Sequence, residues 1–146
     1  METLEQVRET LDSIPEINRR GCALAALVMY RWLKQNQPEA RASIVYLHED
    51  KQDWSYQTNE KYLKGDKETP GACCHAMLKY NNQLMDSDTT CYKHYCWAIE
   101  LEMPEDAVVK SLNQPIWNST FKRGCFLSQI EEAVGVDLSD VEKLHY

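Results

Sequence analysis

Three residues in the sequence have the side-chain types that thiol-based acyl transfer requires: Cys22, His75 and Asp86. In such chemistry a cysteine thiolate attacks a carbonyl carbon, a histidine moves the proton, and a carboxylate orients the histidine. Taken one at a time, these residue types are common as buried cysteines, strand histidines and turn aspartates. Their interpretation therefore depends on the elements that carry them.

Cys22 follows Gly21 at the beginning of the clearest helical pattern in the chain, which predicts a helix from about Gly21 to Gln35. The unpaired N–H groups and the dipole at a helix start favour a thiolate over a thiol. The same N–H groups are able to stabilise a developing oxyanion. The competing interpretation is a small buried apolar residue, which is the commoner role of a free cysteine.

His75 lies on a predicted β-hairpin whose two strands flank the pair Asn81-Asn82. Asparagine tolerates positive φ, so this pair predicts a two-residue turn. Counting outward from the turn places Asp88 directly opposite His75 and Asp86 diagonal to it. Because side chains alternate with period two, all three share one face of the hairpin. Either carboxylate is therefore a candidate to orient the histidine.

Other apolar patterns predict the elements around these two segments. They are a helix over 2–12 with a capping box, strands over 42–47 and 95–102, and helices over 105–112 and 126–134. Residues 48–70 are polar and predict a long excursion, with a short helix near 60–64. Helices first, then antiparallel strands, then a helix indicate an α+β fold, and the length suits a single domain over 1–146.

The order of these motifs resembles the papain-like cysteine hydrolase superfamily. The matching segments are 17–22, which opens the long apolar helix at Gly21-Cys22, then His75-Ala76, then Asp86-Ser87. The closest branch is the transglutaminase-like and bacterial cell-wall-peptidase group, and small phage proteins with the same Cys, His, Asp order are also similar. The resemblance implies a central N-terminal helix bearing the cysteine, packed on an antiparallel sheet, with a C-terminal helix. It also implies a triad of Cys22, His75 and Asp86, and it favours Asp86 over Asp88.

Two positions depart from the pattern of that superfamily. Papain-type enzymes carry a glutamine six residues before the nucleophile as an oxyanion donor, and here that position is Glu16. The tryptophan that often follows the nucleophile is Ala23. A carboxylate donates a hydrogen bond only when protonated, so Asn18, whose amide has two N–H donors, is the candidate second donor. Gln6 on the first helix is a weaker candidate.

Composition and charge exclude several functions. The net charge of -7 repels phosphate backbones, so nucleic acid is not an expected partner. No apolar run is long enough to cross a bilayer, and the charged N-terminus lacks a signal-peptide centre, so we expect a cytoplasmic protein with reduced thiols. The Cys73-Cys74-His75 and Cys91, His94, Cys96 groups match no common zinc spacing, and we expect neither metal nor cofactor.

The sequence thus predicts a thiol-dependent acyl-transfer enzyme that acts on a protein or peptide. Peptidase, amidase or deamidase, and transglutaminase-like activities all begin with the same acyl-enzyme. The alternative is a non-catalytic acidic module that binds a basic protein surface, for example a phage-encoded inhibitor of a host protein. The net charge and the acidic residues within 48–70 favour that alternative.

Overall fold

The structure is a computed structural model that describes residues 2–14, 17, 21–48, 75–88, 99–113 and 126–141. Within these residues it contains four helices and one four-stranded antiparallel sheet, which confirms the α+β class. The elements are α1 (Leu4–Asp12), α2 (Cys22–Asn36), β1 (Ala42–His48), β2 (His75–Tyr80), β3 (Gln83–Met85), β4 (Ile99–Met103), α3 (Glu105–Leu112) and α4 (Leu127–Val134).

Helix α1 begins with the predicted capping box. The Thr3 side chain accepts a hydrogen bond from the Gln6 N–H at 3.1 Å, and Gln6 Oε1 accepts one from the Thr3 N–H at 3.2 Å. Two of the backbone donors that every helix start leaves unpaired are satisfied in this way. The apolar residues of α1 recur at helical spacing and face the core: Leu4, Val7 and Leu11. The cap and this apolar stripe therefore explain why the segment is helical and how it packs.

Helix α2 is the centre of the molecule. Its apolar residues lie on nearly every side, and Leu24, Leu27, Val28 and Leu33 are completely buried. It packs against β1 and β2 on one side and against α1 and α3 on others. Gly21 is the residue that precedes its first turn, and it provides no side-chain cap. The N–H groups of the first turn therefore receive no hydrogen-bond acceptor from a side chain of the cap residue.

The sheet has the strand order β3–β2–β1–β4. The predicted hairpin is confirmed, since Tyr80 pairs with Gln83 across a turn whose two asparagines have φ values of 50° and 66°. These positive angles match the twist of the flanking strands. At the far end of β2, His75 pairs with Leu47 of β1. At this end β2 pairs with β1 alone among the described strands, because β3 pairs only with residues 78–80. The contacts of Cys22 with His75 and Ala76 bring the start of β2 close to the start of α2.

The two faces of the sheet contribute to different apolar clusters. The face toward the helices belongs to the main core and includes Ile44, Tyr46, Ala76 and Leu78. The opposite face carries a smaller buried cluster, whose members are Val45, Leu47 and Met77. Burial on both faces explains why β1 has an almost continuous apolar sequence, because polar side chains are not needed on either side.

The C-terminal part of the chain is tied to α2 by Arg31. Its guanidinium donates to Glu105 at the start of α3 at 2.7 Å, to the Asp140 carboxylate at 2.7 and 2.8 Å, and to the Asp137 carbonyl at 2.8 Å. Helix α4 ends at Gly135, whose φ of 79° is the left-handed conformation that glycine adopts readily. The predicted helices over 105–112 and 126–134 are thus confirmed to within a residue.

Some sequence predictions fall on residues outside the described part of the chain. These are the stretch 95–98 of the predicted strand, the polar excursion after His48 and the short helix near 60–64. In the described part of the chain, no helix has the length and apolar character needed to cross a bilayer.

Candidate active site

Cys22 is the first residue of α2, as the sequence predicts. The residue retains some solvent-accessible surface, while its sulfur lies among protein atoms close to the start of β2. The thiol makes a side-chain hydrogen bond with His75 and backbone hydrogen bonds with Ala76 and Ala23. One of these backbone groups belongs to the strand and the other to the helix, so the sulfur joins the two elements.

His75 is the first residue of β2 and is only 6% exposed. Its Nε2 atom lies 2.7 Å from Oδ2 of Asp86. Because Nε2 is occupied by this carboxylate, Nδ1 is the ring nitrogen left for the hydrogen bond with Cys22. The imidazole therefore lies between the thiol and the carboxylate, with one ring nitrogen directed to each.

Asp86 comes immediately after the last residue of β3 and is 3% exposed. The strand ends at Met85, so the register counted from the turn does not continue to Asp86 and Asp88. Asp86, which the count places diagonal to His75, instead turns inward, and its Oδ2 contacts the imidazole ring at Nε2. Asp88, directly opposite His75 in the same count, is half-buried and is not the partner at Nε2.

The electrostatics of the three groups favour a charged pair. Burial is the largest influence on the pKa of Cys22 and raises it, but the hydrogen bond with His75 and its charge oppose burial, and the net pKa is lowered. Burial likewise lowers the pKa of His75, but the hydrogen bonds with Asp86 and Cys22 outweigh it and raise the pKa to about 9. The lowered pKa of Cys22 and the raised pKa of His75 both favour the thiolate–imidazolium form over the neutral thiol and neutral imidazole.

The candidate oxyanion donors have different positions. Gln6 is exposed, and its Oε1 accepts hydrogen bonds from the Glu2 and Thr3 N–H groups, so it belongs to the cap of α1. Asn18 and Glu16 lie outside the described residues. Among the described groups, the N–H donors at the start of α2 lie nearest in sequence to the sulfur, because Cys22 is itself the first helical residue.

Sequence reasoning did not identify Arg8, which reaches this site from α1. Its Nη1 atom donates to the carbonyl oxygen of Ser87 at 2.7 Å, next to Asp86 in the chain. The spacing of Glu5 and Arg8 indicates only a local helical ion pair. No periodicity or motif signals a contact between residues 79 positions apart.

The possible zinc ligands other than His75 lie outside the described residues. These are Cys73, Cys74, Cys91, His94 and Cys96. Within the segments that the structure describes, no group of three histidine, cysteine or acidic residues is arranged to hold a metal ion.

Comparison of the chain with protein-family models, with curated proteins and with solved structures gives no significant match. The functional interpretation therefore depends on the site itself, since fold alone does not determine function.

Proposed function

We propose that the protein is a thiol-dependent acyl-transfer enzyme in which Cys22 is the nucleophile, His75 the proton-transfer group and Asp86 the residue that orients His75. One observation carries the proposal: the buried His75 ring is hydrogen-bonded to a helix-start thiol and, 2.7 Å from its other nitrogen, to a carboxylate. This is the arrangement in which a base is both paired with its nucleophile and fixed by a third group. A papain-like or transglutaminase-like enzyme is the finer form of the same proposal.

In the first half of the reaction, the Cys22 thiolate attacks the carbonyl carbon of an amide or ester and forms a carbon–sulfur bond. The electron pair of the carbonyl moves to oxygen, where N–H groups at the start of α2 stabilise it. When this intermediate collapses, the carbon–nitrogen or carbon–oxygen bond breaks and the leaving group takes the proton from His75 Nδ1. The products are a free amine or alcohol and a thioester on Cys22.

In the second half, neutral His75 accepts a proton from the incoming acceptor as that acceptor attacks the thioester. Water as acceptor gives a carboxylic acid, and an amine gives a new amide. The carbon–sulfur bond breaks, and the sulfur leaves as the thiolate that is paired again with protonated His75. Peptide cleavage, deamidation and transfer thus differ in the substrate and the acceptor, while the three protein groups act in the same way.

A protein or peptide is the proposed substrate class. The net charge of -7 and the sequence pI of about 5.1 disfavour phosphate-rich partners at neutral pH. They instead favour approach by neutral or basic segments of a polypeptide chain.

An activated ester tests the chemistry without knowledge of the natural substrate. With p-nitrophenyl acetate, we expect a rapid release of about one p-nitrophenol per chain, followed by slower turnover, because the acyl-enzyme forms before it is hydrolysed. Mass spectrometry of the quenched protein should find the acetyl group on the peptide that contains Cys22. The variant Cys22→Ala should lose both the rapid phase and this modification.

The remaining cysteines of the chain, five of six, are the internal control in this experiment. Acetylation spread evenly over all six thiols, or a rapid phase that survives Cys22→Ala, would contradict the proposed acyl-transfer function.

A further inference from the structure

The segment that carries Asp86 lacks the usual support of a strand. Strand β3 has only three residues and ends at Met85, so the sheet ladder stops one residue before Asp86. The carboxylate is 3% exposed, and its Oδ2 lies 2.7 Å from Nε2 of His75. Its Oδ1 atom is buried and has no hydrogen-bond partner among the residues that the structure describes. A single hydrogen bond does not determine the position of a buried carboxylate, so its backbone has to be held from elsewhere.

Arg8 supplies a contact at this point. Its Nη1 donates to the Ser87 carbonyl at 2.7 Å, while Nε and Nη2 donate to the Glu5 carboxylate at 2.7 to 3.1 Å. The fork to Glu5 fixes the planar guanidinium, and only 13% of the Arg8 side chain is exposed. Since α1 also packs its apolar stripe against α2, the helix that supports Arg8 is itself part of the core.

We infer that Arg8 is a positioning residue for the proposed triad: by holding the Ser87 carbonyl, it keeps Asp86 in contact with His75, and Glu5 keeps Arg8 in the orientation that this requires. The inference rests on the proposed function, because it assigns Arg8 a role in the proposed triad. The geometry that it describes is the contact between His75 and Asp86. Arg8 acts on that contact through the backbone.

The direction in which the pKa of His75 moves when Arg8 is replaced distinguishes positioning of Asp86 from a direct effect of the guanidinium charge. The groups that determine the pKa of His75, besides burial, are Asp86 and Cys22, and Arg8 is not among them. Loss of a positive charge near an imidazolium would by itself raise the pKa of His75. Loss of the contact with Asp86 would lower it toward the ordinary value of about 6.5. A downward shift therefore indicates movement of the carboxylate.

The test compares Arg8→Met with Arg31→Met. The two arginines are matched, because Arg31 also pairs with carboxylates and donates to a distant carbonyl, that of Asp137, at 2.8 Å. Methionine keeps an apolar stem and removes every donor. We follow the imidazole C–H proton signals of His75 by NMR across pH and assign them with His75→Ala. In Arg8→Met we expect the His75 midpoint to fall by about one unit, while in Arg31→Met it stays in place.

Two milder variants cover the case in which Arg8→Met does not fold. Arg8→Lys retains one donor for Ser87 but loses the fork to Glu5, and Glu5→Gln keeps Arg8 but weakens its orientation. Each should shift the His75 midpoint downward by less than Arg8→Met, with Arg8→Lys restoring part of the loss. An unchanged or raised midpoint in the folded Arg8 variants, or an equal fall in Arg31→Met, would overturn the inference.

The readout keeps the two proposals distinct. The His75 midpoint is measured without any substrate, so it tests the role of Arg8 even if the unmodified protein forms no acyl-enzyme. Conversely, acetylation of Cys22 by p-nitrophenyl acetate together with an Arg8→Met midpoint equal to that of the unmodified protein would leave the proposed function intact and remove Arg8 from it.

Discussion

Replacing His75 by alanine is expected to slow alkylation of Cys22 by iodoacetamide near pH 7 by about tenfold or more. Burial raises the pKa of the Cys22 thiol, the hydrogen bond and charge of His75 are the largest influences that lower it, and backbone hydrogen bonds with Ala76 and Ala23 lower it further. Without the imidazolium, only the smaller contributions of the two backbone hydrogen bonds oppose burial, so the thiol pKa rises. A thiol with an ordinary pKa is ionised to only a few per cent at this pH. Lower thiolate content outweighs the higher intrinsic nucleophilicity of the more basic sulfur.

The measurement is competitive labelling followed by peptide mapping, with the other cysteines as internal references. The chain has six cysteines in all, so each digest contains the comparison within one sample. Labelling of the urea-unfolded protein provides the second control, because His75→Ala should have no effect there. A Cys22 rate that is the same in the folded His75→Ala variant and in the unmodified protein would contradict the assignment of His75.

Replacing Asp86 by asparagine is expected to lower the pKa of His75 from about 9 toward its ordinary range. The amide preserves the shape of the side chain but removes the charge that favours the imidazolium. Breaking a buried charged pair by removing one partner also costs roughly 3 kcal/mol of unfolding free energy. Both effects follow from the 2.7 Å contact between Nε2 and Oδ2 in a site where His75 is 6% exposed.

The unfolding free energy that Asp86→Asn loses depends on pH in a definite direction. Because the pKa of His75 is raised in the folded state, its contribution to stability is complete below the unfolded value of about 6.5 and disappears as pH rises through about 9. The stability difference between the unmodified protein and Asp86→Asn should therefore be largest in acid and shrink across this interval. Urea unfolding at a series of pH values measures it.

Asp88→Asn is the matched control, since it removes the neighbouring carboxylate that strand counting places opposite His75. It should leave the NMR midpoint of His75 nearly unchanged. A larger shift in Asp88→Asn than in Asp86→Asn would contradict the structure of the site.

The elements that hold the site follow from local sequence patterns. The apolar run after Gly21 predicts α2 to within a residue at each end, and Asn81-Asn82 predicts the hairpin and its register as far as Met85. Both predictions use short-range rules: helical periodicity predicts α2, and the tolerance of asparagine for positive φ predicts the hairpin turn. The position of Cys22 at a helix start follows directly from the helical periodicity.

The choice between Asp86 and Asp88 could not be made from local patterns. Strand counting assumes that β3 continues, whereas the strand has three residues, and the chain leaves the ladder at Asp86. Where a strand ends is set by tertiary contacts, and the hydrogen bond from Arg8 to the Ser87 carbonyl is one of them. Arg8 is near the N-terminus and has a helix neighbour of opposite charge, so its sequence context resembles that of any solvated helical pair.

Protonated His75, hydrogen-bonded to Cys22, lowers the pKa of the Cys22 thiol. The most direct test is the ultraviolet absorbance of the thiolate as a function of pH, taken as the difference between the unmodified protein and Cys22→Ala. We expect a Cys22-dependent step with its midpoint clearly below the value of about 8.5 for an ordinary thiol. A midpoint at or above that value would contradict it.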